Sequence, residues 1–244
     1  MCETQEPKIL VSTATYKERE NLEPLFKGIH EYLPDADILV IDDNSPDGTG
    51  ELADQMSEED PRIHVIHRPG KQGLGTAILR GMSFAMDREY DYFVNIDADL
   101  SHNPKYLPAM IEGMKKYDIT IGSRYVPSGG TLNWPLSRQM MSKGVNTMVR
   151  LMMRIPARDT SGGYRCYRVD KLRHAKLDEM ISFGYSFQEE VLYRCWKAGC
   201  KIGETPIIFE DRRVGSSKAN IPEMVRSLGI LLYLGVGTMF GAAR

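Results

Sequence analysis

Residues 90–104 read YDYFVNIDADLSHNP: a largely apolar run from Tyr92 to Ile96 that stops at two aspartates one residue apart, Asp97 and Asp99, before a polar turn and Pro104. A short apolar run bounded by turn residues has the composition of a buried strand. Four further runs share that character: KILVSTATY (8–16), ADILVIDD (36–43) and RIHVIHR (62–68) before it, and YDITIGSRY (117–125) after it. Between the first two, ERENLEPLFKGIHEYL (18–33) sets Leu22, Leu25, Phe26, Ile29 and Leu33 at helical spacing, and SPDGTGELADQMSEE (45–59) then opens with turn and capping residues. Strands alternating with helices predict an α/β fold, a mostly parallel sheet covered by helices. In such sheets ligands bind where the strands end, near the helix N-termini. The polar residues that close the runs, Tyr16 and Glu18, Asp42 and Asp43, Asp97 and Asp99, all fall on that one edge.

The chain of 244 residues is long enough to bury a core, and its 31 basic and 33 acidic residues leave a net charge of −2. That balance argues against nucleic acid as a partner; any polyanion site must be a local cluster of Lys and Arg. Cys2, Cys166, Cys195 and Cys200 lack the close CxxC pairs of a structural zinc site and are read as reduced thiols. The opening MCETQEPK has no apolar core of a signal peptide, which predicts a cytosolic chain. No repeat or linker interrupts residues 8 to about 220.

Two carboxylates at a strand end repel each other and need something cationic beside them. A hard divalent cation, Mg²⁺ or Mn²⁺, suits a small set of oxygen ligands and takes the rest of its shell from water and substrate phosphates. The plainer reading is two loop aspartates that cap the segment after Pro104. The basic glycine stretch HRPGKQGLGTA (67–77) lacks the GxGxxG dinucleotide pattern, which disfavours a dehydrogenase. Its glycines and Lys71 either approach a phosphate or form a turn and helix start.

Nine strings in order carry a resemblance: ATYKERENL, VIDDNSPDGT, GLGTA, NIDADLSHNP, GSRYVPSGG, LSRQMMSKGVN, DTSGGYRCYR, GYSFQEEVLYR and EDRRVGSSK. Together, over residues 8 to 220, the chain resembles the family-2 glycosyltransferases that act on polyprenyl phosphates, the dolichol-phosphate mannosyltransferase group in particular. The resemblance implies a GT-A fold over residues 1–220, with 221–244 as an apolar C-terminal helix. It implies a nucleotide-sugar donor, GDP-mannose, or UDP-glucose as the alternative, and a divalent metal at the DAD. The acceptor would be a polyprenyl or dolichyl phosphate, with transfer of one hexose. Small membrane subunits are left open.

Residue by residue, Thr15, Tyr16 and Glu18 match the family segment PTYNERE that cradles the nucleotide, while Ala14 replaces its proline and Lys17 its asparagine. Ile41 and Asp43 match base and ribose contacts. Asp97, Ala98 and Asp99 match the DAD, its outer aspartates on metal and diphosphate. Arg124, Arg138 and Ser142 match the groups expected at the acceptor phosphate, Arg212 and Lys218 a basic loop over the donor phosphates, and Gln188 and Glu190 of FQxE the sugar.

The residue types suit that chemistry. A phosphate acceptor is already anionic near neutral pH and needs no strong general base. It must instead be held in line beside a second anion, which arginine does bidentately. With no nucleophile and base paired for a covalent intermediate, the expected outcome is inversion.

A lipid acceptor also requires a membrane surface. SLGILLYLGVGTMFGAAR (227–244) runs uncharged from Ser227 to Ala243, short of the roughly 20 residues of a spanning helix. IPEMVRSLGILLYLG (221–235) reads as an interfacial amphipathic helix, with packing on the core as its rival. The methionine stripes MMSKGVNTMVRLMMR (140–154) and MSFAM (82–86) are either core or a seat for a prenyl chain. Two other classes weigh less. A sugar nucleotidyltransferase lacks its glycine-rich basic signature after the first strand, and only Ala14 and Lys17 hint at a catalytically silent nucleotide-sugar-binding protein.

Overall fold

A computed structural model describes residues 6–210 and 221–239, the side chains of 221–225 and 236–239 excepted. The five apolar runs form strands β1 (Ile9–Thr15), β2 (Asp37–Asp42), β3 (Ile63–His67), β4 (Tyr92–Asn95) and β5 (Ile119–Ser123). β6 (Gly130–Leu132), β7 (Arg165–Arg168), β8 (Ile202–Pro206) and β9 (Ile208–Glu210) follow. One seven-stranded sheet runs β3-β2-β1-β4-β7-β5-β8, and β6 pairs with β9 in a small second sheet. Neighbours in the large sheet are parallel except β7, which lies antiparallel between β4 and β5.

The helices are α1 (Arg19–Tyr32), α2 (Thr49–Glu59), α3 (Leu74–Asp87), α4 (Leu107–Gly113), α5 (Leu136–Met153), α6 (Val169–Leu172), α7 (Phe187–Lys197) and α8 (Ile221–Met239). Side chains alternate across the strands, so each strand feeds two cores. Leu10, Leu39, Ile41 and Phe93 pack on one face with Ile78 of α3 and Val191 of α7. Val11, Ile38, Val40 and Val94 pack on the other with Leu22, Leu25, Phe26 and Ile29 of α1, the stripe set by its spacing.

The methionines of 82–86 pack on the core, while those of α5 divide. Met82 and Met153 are buried, whereas Met140 and Met141 of α5 are exposed at 66% and 58%. α8 packs on α5: Leu231 is buried in the core, and Gly235 lies so close to Met152 that an added Cβ would sit 2.8 Å from its Cε. Its outer face exposes Leu228, Leu232 and Tyr233. No described helix is long and apolar enough to cross a membrane. Cys166, Cys195 and Cys200 are buried free thiols; Cys2 lies outside the described residues.

Candidate active site

Parallel β1, β2, β4 and β5 end on one edge. Because β7 is reversed, it begins there, with Arg165 paired to Asn95 and Ile121. The edge therefore collects the loop entering β7 as well as the loops leaving its neighbours.

At the β1 and β2 ends, Asp42 is buried and fully engaged. Its Oδ1 accepts from Thr15 Oγ1 at 2.8 Å and Ser45 Oγ at 2.6 Å, and its Oδ2 from the Ser45 N–H at 2.9 Å. Ser45 Oγ accepts in turn from the Lys17 N–H at 3.1 Å, and Thr49 Oγ1 from the Glu18 N–H at 3.1 Å. Asp42 thus stitches the two loops together. Lys17 holds φ at 64°, a left-handed backbone that asparagine adopts more readily than lysine.

Asp43 is ion-paired to Arg68, whose guanidinium also donates to Thr76 Oγ1 at 2.6 Å and to the Gly73 carbonyl at 3.3 Å. Sequence reasoning missed Arg68; its one signal is its place at the end of a strand run. Ile41, expected at the base, is 1% exposed, with its side chain in the core and its backbone paired to Ala14 and Ile66. It forms the floor rather than offering a side-chain contact. The glycine stretch forms the turn and helix start expected of it. Gly73, at φ 94°, caps α3, and Lys71 Nζ stands 3.6 Å from the Tyr16 ring centroid.

Past β4, the Asp97 N–H donates to His102 Nδ1 at 3.2 Å, and Asp99 Oδ1 accepts from the Ser101 N–H at 3.1 Å. Ala98 between them turns into the core. Glu18 and Asp99 line one cleft of about 980 Å³ with Lys17, Arg19, Asp47 and Ser101. On the other side of Asp97 sits Gly163, whose carbonyl accepts from Asn95 Nδ2 at 2.7 Å. A Cβ there would lie in ordinary contact with Gln188 Nε2 at 3.5 Å and Asp97 Oδ1 at 3.7 Å, which places Gln188 and Asp97 on either side of this turn. Glu190, expected beside Gln188, points elsewhere. It is fully buried and accepts from the N–H groups of Ile181 and Ser182 and from Arg194 Nε, because the helical turn aims it at the 181–182 loop.

Arg124 is committed within the protein. Its Nε and Nη2 each reach the Asp159 carboxylate at 2.7 Å, and Nη2 reaches Ser161 Oγ at 2.9 Å. Burial works to raise Asp159, but the hydrogen bonds from Arg124 more than offset it and hold the carboxyl below its ordinary range. Arg138 and Ser142 lie one turn apart on α5, and the Tyr125 hydroxyl donates to Ser142 Oγ at 2.6 Å. A further turn on, Asn146 Oδ1 accepts from the Thr160 N–H at 2.6 Å and anchors the helix to the loop before β7. The structure thus gathers Arg124, Arg138 and Ser142 into one cluster beside the Asp159–Gly163 turn. Arg212 and Lys218 lie outside the described residues.

Glu189 also escaped the sequence reading. It is fully buried, and its Oε2 is unpartnered among the described residues. Burial pushes its carboxyl up to about 7, against the pull of Arg165 and Arg124.

The mostly parallel sheet, with an aspartate pair just past the end of β4, is that of the GT-A glycosyltransferase fold. The chain belongs to glycosyl transferase family 2, whose profile matches residues 11–175. It is 43% identical over 211 residues to the undecaprenyl-phosphate mannosyltransferase of Micrococcus luteus, covering 86% of this chain and 87% of that one. To the polyprenol monophosphomannose synthase of Mycolicibacterium smegmatis it is 42% identical over 213 residues, covering 86% and 80%. Among solved structures, the UDP complex of glucosyl-3-phosphoglycerate synthase from Mycobacterium tuberculosis superposes with a TM-score of 0.66 at 15% identity, over 94% of this chain and 80% of that one. The same enzyme with Mn²⁺, UDP-glucose and phosphoglyceric acid gives 0.65 over 95% and 80%, also at 15% identity.

Proposed function

We propose that the protein transfers mannose from GDP-mannose to a polyprenyl phosphate such as dolichyl phosphate, with inversion, giving a β-linked polyprenyl mannosyl phosphate. The names of its relatives at 43% and 42% identity supply the sugar and the acceptor class. The observation that carries the reading is on α5. Arg138 and Ser142 lie one turn apart on it, the Tyr125 hydroxyl donates to Ser142 Oγ, and the same helix exposes Leu136, Met140, Met141 and Val145. A polyprenyl phosphate needs that pairing, an anion anchor beside an apolar surface.

In this reading Thr15, Tyr16, Glu18 and Asp43 hold the nucleotide, with Ala14 and Ile41 shaping the cradle, and Gln188 meets the sugar. Asp97 and Asp99 hold Mg²⁺ or Mn²⁺. The donor set fits. It offers hard carboxylate oxygens, the ligands Mg²⁺ and Mn²⁺ take while drawing the rest of their shell from water and a diphosphate. Once bound, the cation neutralises charge on the departing nucleotide. Arg138 and Ser142 orient the acceptor phosphate, which attacks as an anion without a base. Arg124 contributes whatever its Asp159 pairing leaves free, and Arg212 and Lys218 complete the donor side. The exposed faces of α5 and α8 rest on a membrane, which makes the enzyme peripheral at its cytosolic face.

The deciding experiment is calorimetry with GDP-mannose and UDP-glucose in the presence of Mn²⁺, followed by product analysis with a short polyprenyl phosphate. GDP-mannose binding with formation of mannosyl lipid supports the proposal. Preference for UDP-glucose, or binding without turnover, replaces it with a glucosyltransferase or a silent binding protein.

A further inference from the structure

Four aromatic rings run beneath the two candidate acceptor arginines. His102, which receives the Asp97 N–H, stacks on Tyr164 with centroids 4.9 Å apart and meets Phe209 edge-on at 5.4 Å. Phe209 meets Trp134 edge-on at 5.5 Å. The Arg138 guanidinium lies over the Trp134 ring at 3.9 Å from its centroid, while that of Arg124 stands 5.5 Å from Trp134 and 5.8 Å from Phe209. Trp134 is 9% exposed and immediately precedes Pro135, the N-cap of α5, and its carbonyl accepts from Gln139 Nε2 at 3.0 Å.

An exposed arginine has several freely rotating bonds, and ordering it on a phosphate costs conformational entropy. An aromatic face under the guanidinium pre-orders the planar group and leaves its edge hydrogens directed outward. We infer that Trp134 is a positioning residue for the acceptor phosphate: its indole face fixes the Arg138 guanidinium, and through Phe209 and His102 that position is registered against the Asp97 lip. The inference rests on the reading of Arg138 as a phosphate anchor. It adds that the Trp134 ring contributes to holding that anchor in place.

The test is a double-mutant cycle on the full-length protein with Trp134→Leu, Arg138→Ala and their combination. Acceptor KM and kcat are measured with a short polyprenyl phosphate, and donor affinity by calorimetry. Trp134→Leu is expected to raise acceptor KM about fivefold, the size of a partly desolvated cation–π contact, with donor affinity within about twofold of the parent. Trp134→Phe, which keeps a ring in place, should stay within about twofold in KM. In the combined variant the Trp134 change should add little to the loss from Arg138→Ala, since it acts through that side chain. If Trp134→Leu fails to bind donor because it does not fold, Phe209→Leu is read in the same way. A raised acceptor KM that is absent on the Arg138→Ala background supports the inference. An unchanged KM, or effects that add in full, overturns it while leaving Arg138 as an anchor. An Arg138→Ala variant with normal acceptor kinetics sinks the underlying reading instead.

Discussion

Arg124 and Asp159 grip each other with two parallel hydrogen bonds of 2.7 Å, their side chains 9% and 0% exposed. A buried pair of this kind is not a large net gain over an apolar pair, yet breaking it strands a charge. Asp159→Ala should cost about 3–5 kcal/mol in denaturant unfolding, and Asp159→Ala with Arg124→Leu should recover part of that. A single-variant loss below about 1 kcal/mol would show that Arg124 finds other solvation.

Glu189 gives the protein a pH-dependent liability. Its folded pKa of about 7 lies above the ordinary 4.5, because burial outweighs the pull of Arg165 and Arg124. Its stabilisation is therefore full below pH 4.5 and is lost as pH rises through about 7, where an unpartnered charge is left inside. Glu189→Gln should flatten the stability profile across that window and gain about 2 kcal/mol at pH 8. Identical slopes for the two proteins would rule out the assignment.

Lys17 should be improvable. At φ 64° a lysine carries strain that asparagine largely avoids, so Lys17→Asn is expected to raise stability by about 0.5–1 kcal/mol in urea. A lowered midpoint would mean that the lysine makes a compensating contact.

Asp99→Asn should leave the fold and melting behaviour intact and remove the metal dependence of donor binding, since one hard anionic ligand of the candidate site is lost. Titration of donor with and without Mn²⁺ decides it: an unchanged metal response disposes of the Asp97–Asp99 site.

Stereochemistry tests the proposed mechanism itself. An in-line phosphate attack on an α-linked donor yields a β-linked product, readable by NMR of the lipid phosphosugar. An α-linked product would require a covalent intermediate for which no residue has been assigned.

The apolar strand runs and the α1 stripe made β1 to β5 and the ligand edge legible from the residues alone. β7 was hidden because RCYR begins and ends in arginine, and a charged residue reads as exposed although Arg165 is fully buried. The local strings singled out the aspartate pair, Gln188 and the α5 residues as candidates. Their partners were not legible. Arg68 lies 25 residues from Asp43, and Asp159 lies 35 from Arg124, so only the folded sheet brings them together. Glu190 was misplaced for a similar reason: spacing puts it one position beyond Glu189, but only the packing of α7 decides which side chain faces the turn.

The reversal of β7 also bears on the order of assembly. Strands β3, β2, β1 and β4 can pair as soon as residue 95 has been made, but the open side of β4 waits for residues 165–168, and β5 joins the sheet through that same late strand. Until then the open edge of β4 faces solvent, a template for pairing with a neighbouring chain. During synthesis the nascent N-terminal half is thus the most aggregation-prone species, and pulse-labelled hydrogen exchange should find β1 and β2 protected before β5 and β7. Simultaneous protection of all four would show that the sheet forms as one cooperative unit.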